Sequence, residues 1–286
     1  MRSRGLLLAI VASLVRLTHP LRWEGSTGPR GATWATLSAG GEGPRRRLPV
    51  TVISGFVGAG KTTLLRRLLA EAPAGRRLAV IVNDMSELNV DGSLVRPEVQ
   101  LSDGCICCTL RKDLLREVTA LARSGRYDHL IIESTGVSEP LPVAETFTFP
   151  IEEGSSECLL DLAEIDTMVT VVDAASFLAD MSRAEELAER GLGVDLEDHR
   201  TITDLLVAQL EFADVVVINK IDRVSVRQFN RVNQMVRALN ADAVVLSAVQ
   251  AKVNVDEIVG TRRFDLERTA QSPAWLRAIN SEGSKK

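Results

Sequence analysis

The strongest chemical signal in this sequence is a glycine-rich segment that ends in lysine and threonine. It matches the phosphate-binding pattern G-x-x-x-x-G-K-[ST] between a predicted strand and a predicted helix. Its glycines let backbone N–H groups turn toward phosphate oxygens, and the following helix adds its positive N-terminal dipole. Lys61 is expected to reach the β- and γ-phosphates as a catalytic residue, and the Thr62 hydroxyl to ligate Mg²⁺. The predicted nucleotide contacts in this loop are Gly55, Gly58, Ala59, Gly60, Lys61 and Thr62.

A second polar segment is suited to recognise the base of a nucleotide. The apolar run Val215–Ile218 is followed by Asn219, Lys220, Ile221 and Asp222. The Asp222 carboxylate can accept two hydrogen bonds from the N1–H and N2–H₂ groups of guanine, whereas adenine offers no matching pair of donors. A site of this kind rejects the wrong partner by about 10⁴, because mispairing leaves a buried polar group unsatisfied. The pattern favours GTP over ATP, and the predicted base-binding residues are Asn219, Lys220 and Asp222.

Carboxylates at strand ends are candidates for holding Mg²⁺ and for positioning the attacking water. Glu133 ends a predicted strand, and Gly136 shortly after it would let the backbone approach the γ-phosphate. Asp173 ends another strand in the same way. The segment Asn83–Asp91 is expected to order around Mg²⁺ and the γ-phosphate and to relax after hydrolysis, with Asp84 and Glu133 as catalytic residues. The alternatives are ordinary strand-end charges and a solvated loop.

Three of the four cysteines lie within four residues, at Cys105, Cys107 and Cys108. Adjacent cysteines rarely bridge each other, and clustered thiols outside a secreted protein indicate metal or redox chemistry. Thiolates suit Zn²⁺, Cu(I) and other soft ions. Three thiols leave a tetrahedral site one ligand short, which Glu87 or water would complete. Buried small side chains and a redox role are the alternatives, and Cys158 is predicted to have no function.

Composition limits the class of protein. With 286 residues, 45% hydrophobic and 25% charged, the chain is typical of a globular protein rather than a disordered chain or a disulfide scaffold. No apolar run approaches the roughly 20 residues of a membrane helix, so no membrane partner is expected. Residues 1–48 carry eight Arg, no Lys and two Glu; since the whole chain has net charge −4, the remainder carries −10. Such an acidic body argues against nucleic acid as a partner.

Short apolar runs alternate with helical patterns from Pro49 onward. Continuous apolar strands separated by helices predict an α/β fold of the P-loop NTPase type, with a mostly parallel sheet and helices on both faces. Such sheets bind ligands at the carboxyl ends of their strands, where the motifs above lie. The predicted strands are Val50–Ser54, Leu78–Val82, His129–Ile132, Met168–Val172, Val215–Ile218 and Ala243–Leu246. The predicted helices are Lys61–Glu71, Leu110–Arg123 and Arg200–Leu210.

The first 48 residues differ in character from the rest. Leu6–Val15 is an apolar run behind two arginines, as in a secretory signal, and the Arg-rich, acid-poor composition also fits an organelle transit peptide. A poorly ordered extension is the third interpretation. Because the remaining chain calls for cytosolic chemistry, we expect a cytoplasmic protein. The predicted divisions are an N-terminal extension, a P-loop GTPase domain and a short tail, at 1–48, 49–270 and 271–286.

Several motifs occur in an order that resembles one protein family. The resemblance is carried by SGFVGAGKTT, GCICCTLR, IIESTG and INKID, and is extended by LPVAETFTF, MVTVVDAASF, LLVAQLEFADVVVINK and FDLERTAQSPAWL. Together, from about Pro49 to about Trp275, they resemble the CobW-like metallochaperone GTPases, relatives of the HypB and UreG nickel-insertion GTPases.

The resemblance implies GTP binding and slow hydrolysis coupled to delivery of a transition metal, commonly zinc or cobalt. By position, Thr63 joins the residues that hold phosphate and Mg²⁺, and the three clustered cysteines match the family's metal-binding C-x-C-C. The sequence departs from the family pattern in its switch segment, NDMSELNVD, and has no His-rich loop. The usual C-terminal domain is expected to be absent, because Trp275 lies about ten residues from the end.

The leading hypothesis is a GTP-hydrolysing metallochaperone that binds a thiophilic metal, zinc first, and delivers it to a client protein. Mg²⁺-GTP would draw residues Asp84–Asp91 toward the γ-phosphate and set the geometry of the metal site, and hydrolysis would release the metal. The alternative is a GTP-gated protein-interaction switch whose cysteines are structural or redox-sensing. A degraded remnant of a longer family member is a third interpretation, and an oligomer is compatible with each.

Overall fold

One parallel sheet of seven strands organises the chain in the computed structural model, which describes residues 46–73, 75–82, 98–100, 109–152, 154–182 and 201–270. The strands are β1 Leu48–Gly55, β2 Leu78–Val82, β3 Glu98–Gln100, β4 His129–Glu133, β5 Ala163–Asp173, β6 Val215–Asn219 and β7 Val244–Ser247. Their order is β3-β2-β4-β1-β5-β6-β7, and every neighbouring pair is parallel. The predicted α/β fold with a parallel sheet is confirmed.

Helices connect these strands. In the described ranges they are α1 Lys61–Ala70, α2 Thr109–Ser124, α3 Pro140–Thr146, α4 Phe177–Met181, α5 Ile202–Glu211, α6 Val226–Leu239 and α7 Leu266–Ala270. Short 3₁₀ turns are formed by Leu159–Asp161, Ile221–Arg223 and Val255–Glu257. Within the described residues, no helix is long and apolar enough to cross a membrane.

Both faces of the sheet are covered, which explains why the strands read as continuous apolar runs. In β1, Val50 and Val52 belong to the core on one face and Ile53 to the core on the other, and all three are fully buried. The Ile53 face packs against α1 and the chain after β7. The opposite face packs against α2 and α3 near β4, and against α5 and α6 near β6.

The predicted strands and helices are all present, with small changes in their bounds. Strand β5 begins at Ala163 rather than Met168, since four further residues, Ala163, Glu164, Ile165 and Thr167, pair with β1. Helix α5 begins at Ile202 rather than Arg200, because the Thr201 side chain accepts a hydrogen bond from the Asp204 N–H in a capping box. The sequence patterns did not indicate β3, α3, α4, α6 and α7. Residues 1–45 and 271–286, assigned to the extension and the tail, lie outside the described residues.

A buried histidine lies at the amino end of β4. The Thr51 hydroxyl donates its hydrogen to the Ile258 carbonyl (3.2 Å), so it can only accept from His129 Nε2, which is 2.8 Å away. His129 is fully buried, and its Nδ1 has no partner among the described residues. Burial lowers the pKa of His129 from 6.5 to about 4, although the Asp166 carboxylate acts in the opposite direction.

Replacing His129 by Gln is expected to remove part of the acid sensitivity of folding. The unfolded chain takes up a proton on His129 below pH 6.5, whereas the folded chain resists until about pH 4. The wild-type free energy of unfolding therefore loses this contribution as pH falls through that window, by about 2–3 kcal/mol at pH 4.5. The measurement is urea unfolding of both proteins at pH 7 and pH 4.5.

The comparison between the two proteins isolates His129, because other titrating groups contribute to both. Asp214 is one such group: burial raises its pKa from 3.8 to about 6, so it contributes stability below pH 4 that is lost as pH rises to 6. An equal stability difference between His129→Gln and wild type at the two pH values would contradict the assignment.

Candidate nucleotide-binding site

The phosphate-binding loop joins the carboxyl end of β1 to the start of α1. Gly58 and Gly60 have φ of 76° and 111°, and α1 begins at Lys61 directly after the left-handed Gly60. This is the expected strand–loop–helix arrangement, with the N-terminus of α1 facing the loop. The structure thus places the predicted phosphate-binding residues on one continuous segment, from the end of β1 to the first turn of α1, at the carboxyl edge of the sheet.

Position 60 requires glycine for two reasons, its positive φ and the closeness of the Asn219 side chain. A Cβ at this position would lie 2.4 Å from Asn219 Nδ2. The Asn219 side chain cannot move away without losing hydrogen bonds, since its Nδ2 donates to the Ala59 carbonyl (2.9 Å) and its Oδ1 accepts from the Ala251 N–H (2.8 Å). The buried Asn219 side chain therefore clamps the phosphate loop to the chain after β7.

Replacing Gly60 by Ala is expected to lower the free energy of unfolding by about 3 kcal/mol, through the positive φ and the collision with Asn219. Gly75→Ala is a matched control, because Gly75 has a φ of 90° but no atom lies within 4 Å of the point that its Cβ would occupy. It should cost only about 1 kcal/mol. Urea unfolding measures both. An equal decrease in the free energy of unfolding of the two variants would show that the collision with Asn219 does not affect stability.

The residues expected to hold Mg²⁺ meet between α1 and β4. Thr62 Oγ1 donates to Glu133 Oε1 at 2.7 Å, and Glu133 is 1% exposed. A hydroxyl and a carboxylate oxygen are the hard donors that Mg²⁺ prefers, so these residues fit the ion. Lys61 is also buried, and its Nζ donates to the Phe56 carbonyl at 3.4 Å across the same loop.

The predicted base-recognition loop follows β6 and touches the phosphate loop. Lys220 has a left-handed backbone (φ 60°), and its Nζ donates to the Gly58 carbonyl at 2.7 Å and to Asp173 Oδ2 at 2.6 Å. Asp222 lies on the following 3₁₀ turn and is exposed. The arrangement holds Lys220 over the phosphate loop and leaves the Asp222 carboxylate accessible to a base.

The loop after β4 approaches the phosphate loop from the other side. A Cβ on Gly136 would lie 2.6 Å from Val57 Cγ2 and 2.7 Å from Val57 N. Ser134 anchors the start of this loop, since both its N–H and its hydroxyl donate to the Ile53 carbonyl (2.9 and 3.1 Å). Gly136 thus packs directly on the loop that is expected to hold phosphate, and its approach to the γ-phosphate stays a prediction.

Several predicted site residues are not placed. Asp84, Glu87, Cys105, Cys107 and Cys108 lie outside the described residues, so their roles stay predictions. Within the described ranges, no group of three or more His, Cys, Asp or Glu side chains could hold a metal ion.

Cys158, the remaining cysteine, is half-buried. Burial and a hydrogen bond to Asp161 raise the pKa of its thiol, which disfavours the thiolate. A protonated thiol is a poor metal ligand and nucleophile, and the absence of a function for Cys158 stays a prediction.

Gln209 in α5 was not predicted from the sequence. Its side chain is buried, and Nε2 donates to the carbonyls of Ser138 (3.2 Å) and Gly136 (3.4 Å). The only sequence signal was a lone amide in the apolar helix that follows Thr201, and this signal does not reveal the contact across the fold.

Comparisons with known proteins identify relatives of this chain. The CobW/HypB/UreG nucleotide-binding domain matches residues 49–247. The chain is 43% identical over 250 residues to a zinc-regulated GTPase metalloprotein activator of Dictyostelium discoideum, covering 82% of this chain and 52% of that protein. It is 33% identical over 236 residues to the zinc chaperone CobW of Pseudomonas aeruginosa, covering 75% and 60%.

The chain thus spans about half the length of the curated relatives it matches. Among solved structures, a zinc-bound triple mutant of the YjiA GTPase superposes with a TM-score of 0.55 at 24% identity, over 77% of this chain and 64% of that one. This likeness confirms the P-loop NTPase fold. With the phosphate loop, the base-recognition loop and Glu133 at one edge of the sheet, and with the family domain covering residues 49–247, the chain belongs to the CobW/HypB/UreG family.

Proposed function

We propose that this chain binds and slowly hydrolyses GTP in the presence of Mg²⁺, and that the nucleotide controls a transition-metal site from which zinc is delivered to a client protein. One observation supports the nucleotide part of this proposal: the ends of β4 and β6 converge on the phosphate loop and α1 at one edge of the sheet, and a hydrogen bond joins each to that segment. Thr62 donates to Glu133, and Lys220 donates to the Gly58 carbonyl. The names of the curated relatives, a zinc-regulated GTPase metalloprotein activator and a zinc chaperone, support the proposed binding and delivery of a metal.

The chain's own residues account for binding and orientation of the nucleotide. The phosphate-loop N–H groups and Lys61 would hold the β- and γ-phosphates, and Asp222 would select guanine. Thr62 and Glu133 would hold Mg²⁺, which when bound neutralises charge on the phosphate oxygens. Glu133 is buried beside Thr62, so it is held in one orientation for this task or for positioning the attacking water.

The proposed cargo site consists of Cys105, Cys107 and Cys108, completed by Glu87 or water. Thiolate ligands favour zinc over Mg²⁺, so the two metal sites would not compete. A change of one ligand between nucleotide states would supply the coupling of about 1–3 kcal/mol that separates tight from weak binding. Free thiolates persist in a reducing compartment, so we propose that the protein acts in the cytoplasm.

Anaerobic Co²⁺ titration of the whole chain tests whether the cysteines bind a metal and whether the nucleotide controls that binding. The titration is done with Mg²⁺ and either a non-hydrolysable GTP analogue or GDP. Cobalt–thiolate charge-transfer absorption reports ligation by sulfur, and Zn²⁺ competition reports relative affinity. We expect a thiolate band at 1:1 stoichiometry that is stronger with the GTP analogue. The triple Ser variant of Cys105, Cys107 and Cys108 should lose the band, while Cys158→Ser should retain it.

The other outcomes separate the hypotheses. No thiolate band in either nucleotide would favour the GTP-gated interaction switch, with the cysteines structural or redox-active. A band of equal strength with both nucleotides would contradict coupling between hydrolysis and metal release. Calorimetry with the same nucleotides shows independently whether GTP binds.

Replacing Asp173 by Asn is expected to weaken GTP and GDP binding equally, by about tenfold. The ion pair with Lys220 is only partly exposed, and a charge-assisted hydrogen bond of this kind contributes about 1.5–3 kcal/mol. Asn would still accept from the Ala175 N–H as Asp173 now does at 2.8 Å, so the local turn is kept. Competition with a fluorescent guanine nucleotide measures both affinities. An effect confined to GTP would instead assign Asp173 to the phosphate–Mg²⁺ end of the site.

A further inference from the structure

The buried Gln209 side chain joins α5 to the loop that follows β4. Gln209 is 1% exposed, and its Nε2 donates to the carbonyls of Ser138 at 3.2 Å and Gly136 at 3.4 Å. Because both neighbours are carbonyl oxygens, only the amide nitrogen can face them, which settles the orientation of the amide. One side chain therefore holds two backbone carbonyls of this loop.

The other end of the same amide is left without a partner. Gln209 Oε1 is buried and accepts no hydrogen bond from the described residues. A buried unsatisfied acceptor destabilises the folded chain, whereas a methionine of similar length would fill the space without that cost. The amide is thus unfavourable as a packing residue, and its two N–H groups are what it contributes to the fold.

The backbone that carries Gln209 is itself held on the sheet. Thr170 Oγ1 in β5 donates to the Gln209 carbonyl at 2.6 Å and lies 2.9 Å from Ser54 Oγ, directly before the phosphate loop. Asn240 Nδ2 donates to the carbonyls of Leu210 (2.8 Å) and Ala213 (2.9 Å). The carboxyl end of α5 is therefore a rigid anchor, and the Gln209 amide transmits its position to Gly136.

Gly136 is the part of the loop that lies against the phosphate loop, since a Cβ on it would lie only 2.7 Å from Val57 N. If GTP occupies the phosphate loop, the γ-phosphate is the group that Gly136 would meet, and GDP lacks that phosphate. We propose that Gln209 is a positioning residue that holds Gly136 ready for the γ-phosphate and so favours GTP over GDP. This inference rests on the proposed GTP binding.

The test compares Gln209→Met with the wild-type chain. Methionine keeps the length of the side chain but removes both N–H donors. Calorimetry with a non-hydrolysable GTP analogue and with GDP, each with Mg²⁺, gives the ratio of the two affinities. We expect the ratio to fall about tenfold through weaker binding of the GTP analogue, with GDP affinity unchanged. Gln234→Met, at an exposed position in α6, is the matched control and should leave the ratio unchanged.

Hydrogen–deuterium exchange without nucleotide tests the hold on the loop separately. The peptide that covers residues 134–139 should exchange faster in Gln209→Met than in wild type, whether or not GTP is the ligand. If wild type binds no GTP analogue, the proposed function fails. If wild type discriminates between the nucleotides and Gln209→Met does so equally well, the inference fails alone.

Two further results would overturn the positioning role. An equal loss of affinity for the GTP analogue and for GDP would show that Gln209 only supports the fold. Unchanged hydrogen exchange of the 134–139 peptide would show that Gln209 does not hold this loop. Should Gln209→Met not fold, Gln209→Asn keeps the amide but is one methylene too short to reach both carbonyls. It is expected to lower the affinity ratio in the same direction.

Discussion

Replacing Asp222 by Asn should lower the affinity for GTP by about 10²–10⁴ and create affinity for xanthosine triphosphate. Asp222 is exposed on the 3₁₀ turn that follows Lys220, and its carboxylate can accept from both N1–H and N2–H₂ of guanine. The amide of Asn presents an N–H toward one of these donors, so one bond is lost and a repulsion is added. Xanthine carries a carbonyl at C2, which the amide N–H can satisfy. Equilibrium binding of both nucleotides measures the change.

Asp242→Asn is the matched control for this prediction. Asp242 is exposed two residues before β7, at the amino end of the sheet opposite the nucleotide loops. It should change neither affinity. Guanine recognition by this loop would be contradicted if Asp222→Asn kept full GTP affinity. It would also be contradicted if the affinities for GTP and for the xanthine nucleotide fell equally.

Glu133→Gln is expected to reduce the rate of GTP hydrolysis by about 10²–10³, while nucleotide binding without Mg²⁺ is retained. The substitution keeps the shape of a side chain that is 1% exposed, and the Gln carbonyl can still accept from Thr62 as Glu133 does at 2.7 Å. Only the negative charge beside the expected Mg²⁺ is lost. Single-turnover hydrolysis at several Mg²⁺ concentrations measures both the rate and the apparent affinity for the ion.

Glu164→Gln controls for the loss of one carboxylate. Glu164 pairs with the exposed Arg47 at 2.7 Å near the start of β5, at the other end of the sheet. Its hydrolysis rate should equal that of wild type. Full activity of Glu133→Gln would exclude Glu133 from Mg²⁺ binding and from water positioning, and a higher Mg²⁺ requirement without a rate change at saturation would leave it only the first of these roles.

The sheet was predictable because its strands are apolar on both sides. Val215–Ile218 and Leu78–Val82 are nearly continuous Val, Ile and Leu, and only a strand covered on both faces buries such a run. Strand β3 was missed because Glu98, Val99 and Gln100 contain a single apolar residue, so nothing in their pattern separates them from a loop.

Helix α6 was missed although its sequence carries a signal. Ser225 and Gln228 form a capping box before it, and Val232 and Val236 are its buried residues at a spacing of four. Two buried residues are too few to produce a clear apolar periodicity in the sequence, since most of the helix is exposed and polar. The capping pair would have located its start.

The sequence by itself determined the two nucleotide motifs, because each is a short segment whose chemistry resides in its own residues. The glycines before Lys61 and the carboxylate of Asp222 have the same meaning wherever the chain places them. Only the tertiary structure decided which groups meet: Thr62 with Glu133, Lys220 with Asp173, and Gln209 with Gly136. These partners are far apart in the chain. The first two pairs meet because parallel strands in the order β2-β4-β1-β5-β6 bring their carboxyl ends to one edge, whereas Gln209 reaches Gly136 from α5, whose end is held on β5 by Thr170.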